Sequence, residues 1–276
     1  MSTTRNGIRL GIAMAFIVTA SFIPGHVRAQ DGYTSPRNAD IDARGARSAE
    51  ISASAGSLRV EGRSGLSQVR VRGTARASER QWLEGIKLVA ERRGDLVFIK
   101  VEIPDDNRTV WDAMGGNSHY RGLDLVIEVP PSLALDVGDG SGEAAFVNVG
   151  ALTLNDGSGE IEIRGAKGNV RVHDGSGTID VDGVQGNLRI HDGSGEIRAR
   201  NISGDLTVDS DGSGSINVSG VGGTMRVEND GSGNIDVDRI GGDFVVDDGG
   251  GRSISHSGVR GTVDIPDRKR GRRSNR

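Results

Sequence analysis

The chain has 276 residues, 44 of them glycine, no cysteine, and a formal charge of -4, a length that suits one large domain or two small ones. The missing cysteines exclude disulfides, thiolate metal sites, a cysteine nucleophile and a lipidated N-terminal cysteine, while six prolines and no G-X-Y period exclude collagen. Residues 137–266 hold 21 acidic against 10 basic side chains, and such a surface repels nucleic acid.

Residues 1–29 begin with Arg5 and Arg9, continue in an apolar run over 10–23, break at Pro24-Gly25 and end on Val27-Arg28-Ala29. A basic start, a short apolar core and a small-residue cleavage site read as a signal peptide, with an uncleaved inner-membrane anchor as the alternative. Its removal takes away three arginines and no acid, leaving 31 basic against 38 acidic residues, an exported chain and no transmembrane segment. Residues 30–49 are polar and lack sustained alternation, so a flexible linker is expected.

Residues 50–137 read as an irregular β cap or a set of opening coils. Short apolar alternations at 58–60, 69–72, 86–89, 96–103 and 123–129 stand between turn signals. The aperiodic stretch 104–121 interrupts them and concentrates Trp111, Met114, His119 and Tyr120 in a chain with only 3% aromatic residues. Trp111, His119 and Tyr120 are therefore candidate binding residues for a sugar or a protein. The structural alternative is that Trp111 and Tyr120 fold back to plug one end of the core.

From residue 138 to 266 the motif D-G-S-G recurs at Asp139, Asp156, Asp174, Asp192, Asp211 and Asp230, with a degenerate copy at Asp248. The spacing of 17 to 19 residues marks a tandem repeat. Each unit holds two short runs of period-2 alternation, such as Ile161 and Ile163 and then Val170 and Val172, separated by glycine-rich tetrapeptides. One such unit has too few buried side chains to offset the entropy of ordering it, so neighbours must stack. The expected fold is all-β, a single-stranded β-solenoid with coils of about 18 residues. An antiparallel meander folded as a sandwich is the alternative, because both turns are short enough for hairpins.

Stacking places the six aspartates in one column with charges about 4.8 Å apart. Two arrangements answer the repulsion. Each Asp caps its own turn by accepting N–H bonds, or Ca²⁺ ions sit between corners on carboxylate and carbonyl oxygens. The motif departs from the calcium-binding nonapeptide, which places its Asp after the glycines. His173-Asp174 and His191-Asp192 fall one coil apart and form a candidate divalent-metal set, with a solvated histidine pair as the plainer reading. No nucleophile elbow, Walker loop or H-E-x-x-H occurs, and the acids form ladders instead of one distinct pair, so an enzyme is not expected. Residues 267–276 form a disordered basic tail suited to peripheral contact with an anionic surface, or simply to solubility.

The stretch 123–143, with Val129-Pro130 before the first S-G, followed by Gly204-Asp205-Leu206 and the S-G-x-I strands, resembles the bacterial putative-adhesin family of β-strand-repeat proteins, a domain of unknown function. The similarity spans about residues 50–266. It implies a secreted or envelope-bound β-helical protein without established catalytic residues, whose partner would be a cell-envelope or surface polymer or protein. The sequence thus leads to an exported, non-enzymatic scaffold, with a polysaccharide-binding or polysaccharide-acting β-helix protein as its rival.

Overall fold

Apolar residues at every second position bury one face of a strand, and stacking such strands in register turns that face into a column. Ile161, Ile179, Ile197, Ile216 and Ile235 form one such column, each fully buried. The structure, a computed structural model, describes residues 32–104, 120–249 and 253–266.

The chain is a β-solenoid of about seven turns with about 19 residues per turn, built from two sheets of eleven strands that face each other across the core. The opening strands of its regular part are β8 (Ala134–Asp139) and β9 (Gly142–Val147), β10 (Leu152–Asp156) and β11 (Gly159–Ala166), β12 (Val170–Asp174) and β13 (Gly177–Val184), and β14 (Leu188–Asp192) and β15 (Gly195–Ile202). β16 (Leu206–Asp211) and β17 (Ile216–Val221), β18 (Met225–Val227) and β19 (Ile235–Ile240), β20 (Phe244–Val246) and β21 (Ile254–Val259), and finally β22 (Val263–Asp264) complete it. Odd-numbered strands from β9 to β21 stack in the first sheet and even-numbered ones from β8 to β22 in the second, every neighbour parallel. Parallel stacking rules out the antiparallel meander.

The glycines of the corner are dictated by the stack. In Gly195 the backbone has φ of 151°, and a Cβ there would stand 1.4 Å from the carbonyl oxygen of Gly177 in the preceding coil. Only glycine lets the two backbones approach so closely. At the opposite corner side chains take over the ladder. Asn187 donates its backbone N–H to Asn169 Oδ1 (2.9 Å), Asp205 to Asn187 Oδ1 (3.0 Å), and Thr224 to Asp205 Oδ1 (2.8 Å).

The N-terminal part is more ordered and less sequential than the alternations suggest. It holds β1 (Tyr33–Asp42), β2 (Ser48–Ser52), β3 (Leu58–Gly62), β4 (Gln68–Ala77), α1 (Arg80–Leu83), β5 (Lys87–Arg93), β6 (Leu96–Glu102) and β7 (Arg121–Val129). β2 and β3 form a coil against β8 and β9, and β6 and β7 form the next coil outward against β2 and β3. The chain therefore lays down its second coil before its outermost one, then returns past both to β8. Antiparallel strands finish this end, with β4 on β7, β1 on β4 and β5 on β6.

The segment expected to be a flexible linker is instead strand β1, paired with β4 over all ten of its residues. The physical reason is its place at the sheet edge. One face of the strand supplies Ala39 and Ile41 to the core, whereas Pro36, Asn38, Asp40 and Asp42 occupy the exposed side that an edge strand keeps polar. The short helix α1 packs beneath β1 and β4, and Arg37 ties it down by donating to the carbonyl oxygens of Leu83 (2.6 Å) and Ile86 (2.9 Å).

Candidate functional site

Two arrangements could carry chemistry or recognition. The first is the corner column. Asp139, Asp156, Asp174, Asp192 and Asp211 follow one another in register, and Asp211 bridges to Asp230 in the next coil. All six side chains point inward and are almost completely buried. The local turn explains one oxygen of four of these carboxylates. Asp174, Asp192 and Asp211 Oδ1 accept the backbone N–H of the serine two residues on, at 3.0 to 3.1 Å, and Asp139 Oδ1 accepts that of Gly140 at 2.8 Å. Capping of the turn by its own aspartate is therefore observed at these four corners.

The second oxygen of Asp139, Asp174, Asp192 and Asp211 is buried without a hydrogen-bond partner. Removing a carboxylate from water disfavours its charged form, and burial pushes the Asp139 carboxyl up to about 6, with the charge of Asp156 adding to it. Burial and then the charges of Asp192 and Asp230 push Asp211 up to about 7. Asp156, Asp174 and Asp192 are raised in the same sense, again chiefly by burial. Protonation of part of the column thus relieves the charge that the stack concentrates. Calcium, the other answer to that charge, needs six or more oxygen ligands, and among the described residues no three His, Cys, Asp or Glu side chains converge as a metal site.

The four residues considered as a divalent-metal set are divided by the sheet. Neighbours along a strand point to opposite faces, so Asp174 and Asp192 lie inside while His173 and His191 lie outside. The two imidazoles stack with ring centroids 4.5 Å apart and planes within 5°, a solvated pair on the outer face.

The second arrangement surrounds the ends of the aperiodic stretch. Trp111 and His119 lie outside the described residues. Tyr120 is exposed at the foot of β7, where its N–H donates to Ser78 Oγ (3.2 Å) and its carbonyl accepts from Ser78 N (3.0 Å). Burial of part of the ring and the nearby charge of Asp124 raise the Tyr120 hydroxyl above its ordinary value. Arg121 Nη1 donates to the carbonyl of Pro104 at 3.3 Å, so the two ends of the stretch meet. The Arg121 guanidinium lies over the Trp82 ring, 4.6 Å from its centroid, a cation–π contact. Tyr33 stands in the same row across β4, since Tyr33 pairs with Ala77 and Ala77 with Arg121.

Both tyrosines of the chain and Trp82 therefore gather at one corner of the N-terminal end. Tyr33, Trp82 and Arg121 escaped the sequence reading because their partners come from β1, α1 and β7, elements brought together only by the out-of-order coils. Beyond β8 the only aromatic residues of the Phe, Tyr and Trp class are Phe146 and Phe244, both fully buried. The outer faces there carry ion-paired ladders instead, such as Arg164 and Arg200 reaching to Asp180 between them, each at 3.1 Å.

A family model for Toastrack DUF4097 matches residues 93–247, more than half of the chain. The chain belongs to the Toastrack DUF4097 family. A "putative lipid binding protein" from Parabacteroides distasonis is structurally similar, with a TM-score of 0.50 at 17% identity over 85% of this chain and 99% of that one. A "putative cell adhesion protein" from Clostridium sporogenes aligns over 81% of this chain and all of its own, at 12% identity and a TM-score of 0.34. A "putative adhesin" from Bacteroides fragilis aligns at 14% identity over 84% of this chain and 96% of its own, with a TM-score of 0.33. At these identities the first likeness speaks for the fold alone. No curated protein matches the sequence. Among the described residues no helix is long and apolar enough to cross a membrane.

Proposed function

We propose that this Toastrack chain is an exported, non-enzymatic interaction scaffold of the bacterial cell envelope, which displays an adhesive site at its N-terminal corner. The observation that carries this reading is the segregation of aromatic side chains. Tyr33 and Tyr120 are exposed beside Trp82 and Arg121 at one end, whereas the regular coils present rows of paired charges. Aromatic faces with polar tips suit contact with a surface polymer or protein. A polysaccharide-cleaving β-helix would instead gather a distinct carboxylate pair and aromatic rings in a groove along the coils. The basic residues 267–276 add peripheral affinity for an anionic surface in this reading.

Envelope fragments of the host bacterium provide the test. The chain without its 1–29 leader is expected to co-sediment with them, Tyr33→Ala/Tyr120→Ala to lose most of that binding, and removal of 267–276 to lose only the salt-sensitive part. Equal binding by the double variant would overturn the adhesive corner. Release of reducing sugar from envelope polysaccharide by the wild type would overturn the non-enzymatic reading. Circular dichroism unchanged by a chelator accords with a scaffold that needs no resident ion, and collapse of the spectrum would return calcium to the corner column.

A further inference from the structure

The six D-G-S-G corners repeat one local sequence, so a chemical difference among them belongs to the fold. An aspartate followed by glycine is prone to ring closure, because glycine has no side chain to hinder its nitrogen. In five of the corners the stack takes that nitrogen away from the carboxyl. Gly157, Gly175, Gly193, Gly212 and Gly231 each donate their backbone N–H to the carbonyl oxygen of the aspartate one coil earlier, at 2.7 to 3.3 Å. The carboxyls of Asp174, Asp192 and Asp211 turn instead to the serine two residues on.

The first corner departs from this because the coil beneath it lacks the motif. β8 lies on β2, whose continuation reads Ala53-Ser54-Ala55-Gly56, and the Ser54 carbonyl oxygen accepts from Ser141 N (3.0 Å). Gly140 donates its N–H to Oδ1 of its own Asp139, at 2.8 Å. The nitrogen that closes the ring thus lies against the carboxyl it would attack. Gly140, Ser141, Gly142 and Glu143 are exposed, so water reaches the turn. Loss of a hydroxyl requires the neutral acid, and burial, with the charge of Asp156 adding to it, pushes the Asp139 carboxyl up to about 6.

We propose that Asp139-Gly140 is a site of spontaneous isoaspartate formation through a succinimide, and that the stack protects the later corners from the same reaction. The Gly140 nitrogen bonds to Asp139 Cγ as a Cγ–O bond breaks, and the amide proton leaves with the departing hydroxyl as water. One water then adds to the imide ring. Opening at Cγ restores aspartate, whereas opening at the main-chain carbonyl carries the chain through Cγ and leaves the α-carboxylate as the new side chain. The product lengthens the backbone by one carbon at the junction where β8 and β9 meet β2 and β3.

Ageing the folded chain at neutral pH, digesting it and distinguishing the two isomers at each corner by electron-transfer fragmentation tests this. A parallel sample in urea gives each corner its own unfolded rate. In the folded chain Asp174, Asp192 and Asp211 are expected to react at least about tenfold more slowly than in urea, since they depend on local opening. Asp139 is expected to keep its urea rate or exceed it. Most product at Asp211, whose carboxyl burial pushes higher still, to about 7, would show that the acid alone decides, and that result overturns the proposal. Equal protection of all six corners, or equal reaction at all six in the folded chain, overturns it as well.

Discussion

At the scale of the residue, the corner motif separates into two requirements. The closing glycine exists for the backbone. A methyl group at Gly195 would lie within bonding distance of the Gly177 carbonyl oxygen, and the positive φ would remain strained for any L side chain. Gly195→Ala should therefore lower stability by about 3 kcal/mol or more in urea melts, whereas Gly138→Ala, with open space around its Cβ position, should cost less than about 1 kcal/mol. The aspartate exists for the turn, and its burial has a pH signature. Its folded-state pKa lies above the unfolded value, so the stability it allows is full below about pH 4 and declines as pH rises through the folded value, about 7 for Asp211. The usual acid lability of carboxylates is reversed in this column. Asp211→Asn removes the titration while keeping an oxygen to cap the turn. Its melting temperature at pH 8 should exceed that of the wild type, and the difference should shrink or reverse at pH 5. A wild-type melting temperature that rises between pH 5 and pH 8 would contradict this assignment.

At the scale of the element, what the sequence reveals depends on whether a strand buries its pattern locally. The repeat strands do, and Ile161, Ile179 and Ile197 occupy the shared interior column that their spacing implies. β1 does not, because four of its ten residues are Pro36, Asn38, Asp40 and Asp42 on the exposed side of an edge, and only Ala39 and Ile41 betray the alternation. The metal reading of His173, Asp174, His191 and Asp192 meets a related obstacle. It used the spacing between coils and neglected the alternation within each strand, which puts imidazole and carboxylate on opposite faces. The Asn169, Asn187 and Asp205 ladder follows an 18-residue recurrence of small amide or acid residues that the sequence reading passed over. The aromatic corner was legible only through Tyr120, since Trp82 and Tyr33 belong to elements whose placement no period announces. Arg37 shows how those elements are held. Its guanidinium satisfies two carbonyls of the α1 turn, and Arg37→Ala should cost about 1 to 3 kcal/mol by leaving them unpaired. Hydrogen exchange should speed up in β1 and around α1 while β11 to β17 keep their protection. Uniform acceleration throughout would show instead that the cap and the coils unfold together.

At the scale of the whole molecule, stability passes from coil to coil. Each interior coil contacts the one before it and the one after it, so its contribution is its own turn plus two interfaces. Removing a full coil deletes one such contribution and rejoins equivalent residues. Deletion of 175–192 connects Asp174 directly to Gly193, so the corner sequence D-G-S-G and every column stay in step. That variant should fold, keep its β-sheet circular dichroism spectrum, and retain a single cooperative urea transition with a smaller slope in proportion to the surface lost. Deletion of 175–183 removes half a coil. It brings the residues of β14 to the position of β13, so the second-sheet pattern would have to enter the first sheet and every later column would be displaced across the core. Few of the inward residues would then meet their equivalents, and the chain should be insoluble or show no cooperative transition. If both deletions fold equally well, the repeats are independent of their register and the stack is not what holds the protein together. If neither folds, the coils form a single indivisible unit, and the additivity expected of a solenoid does not describe this chain.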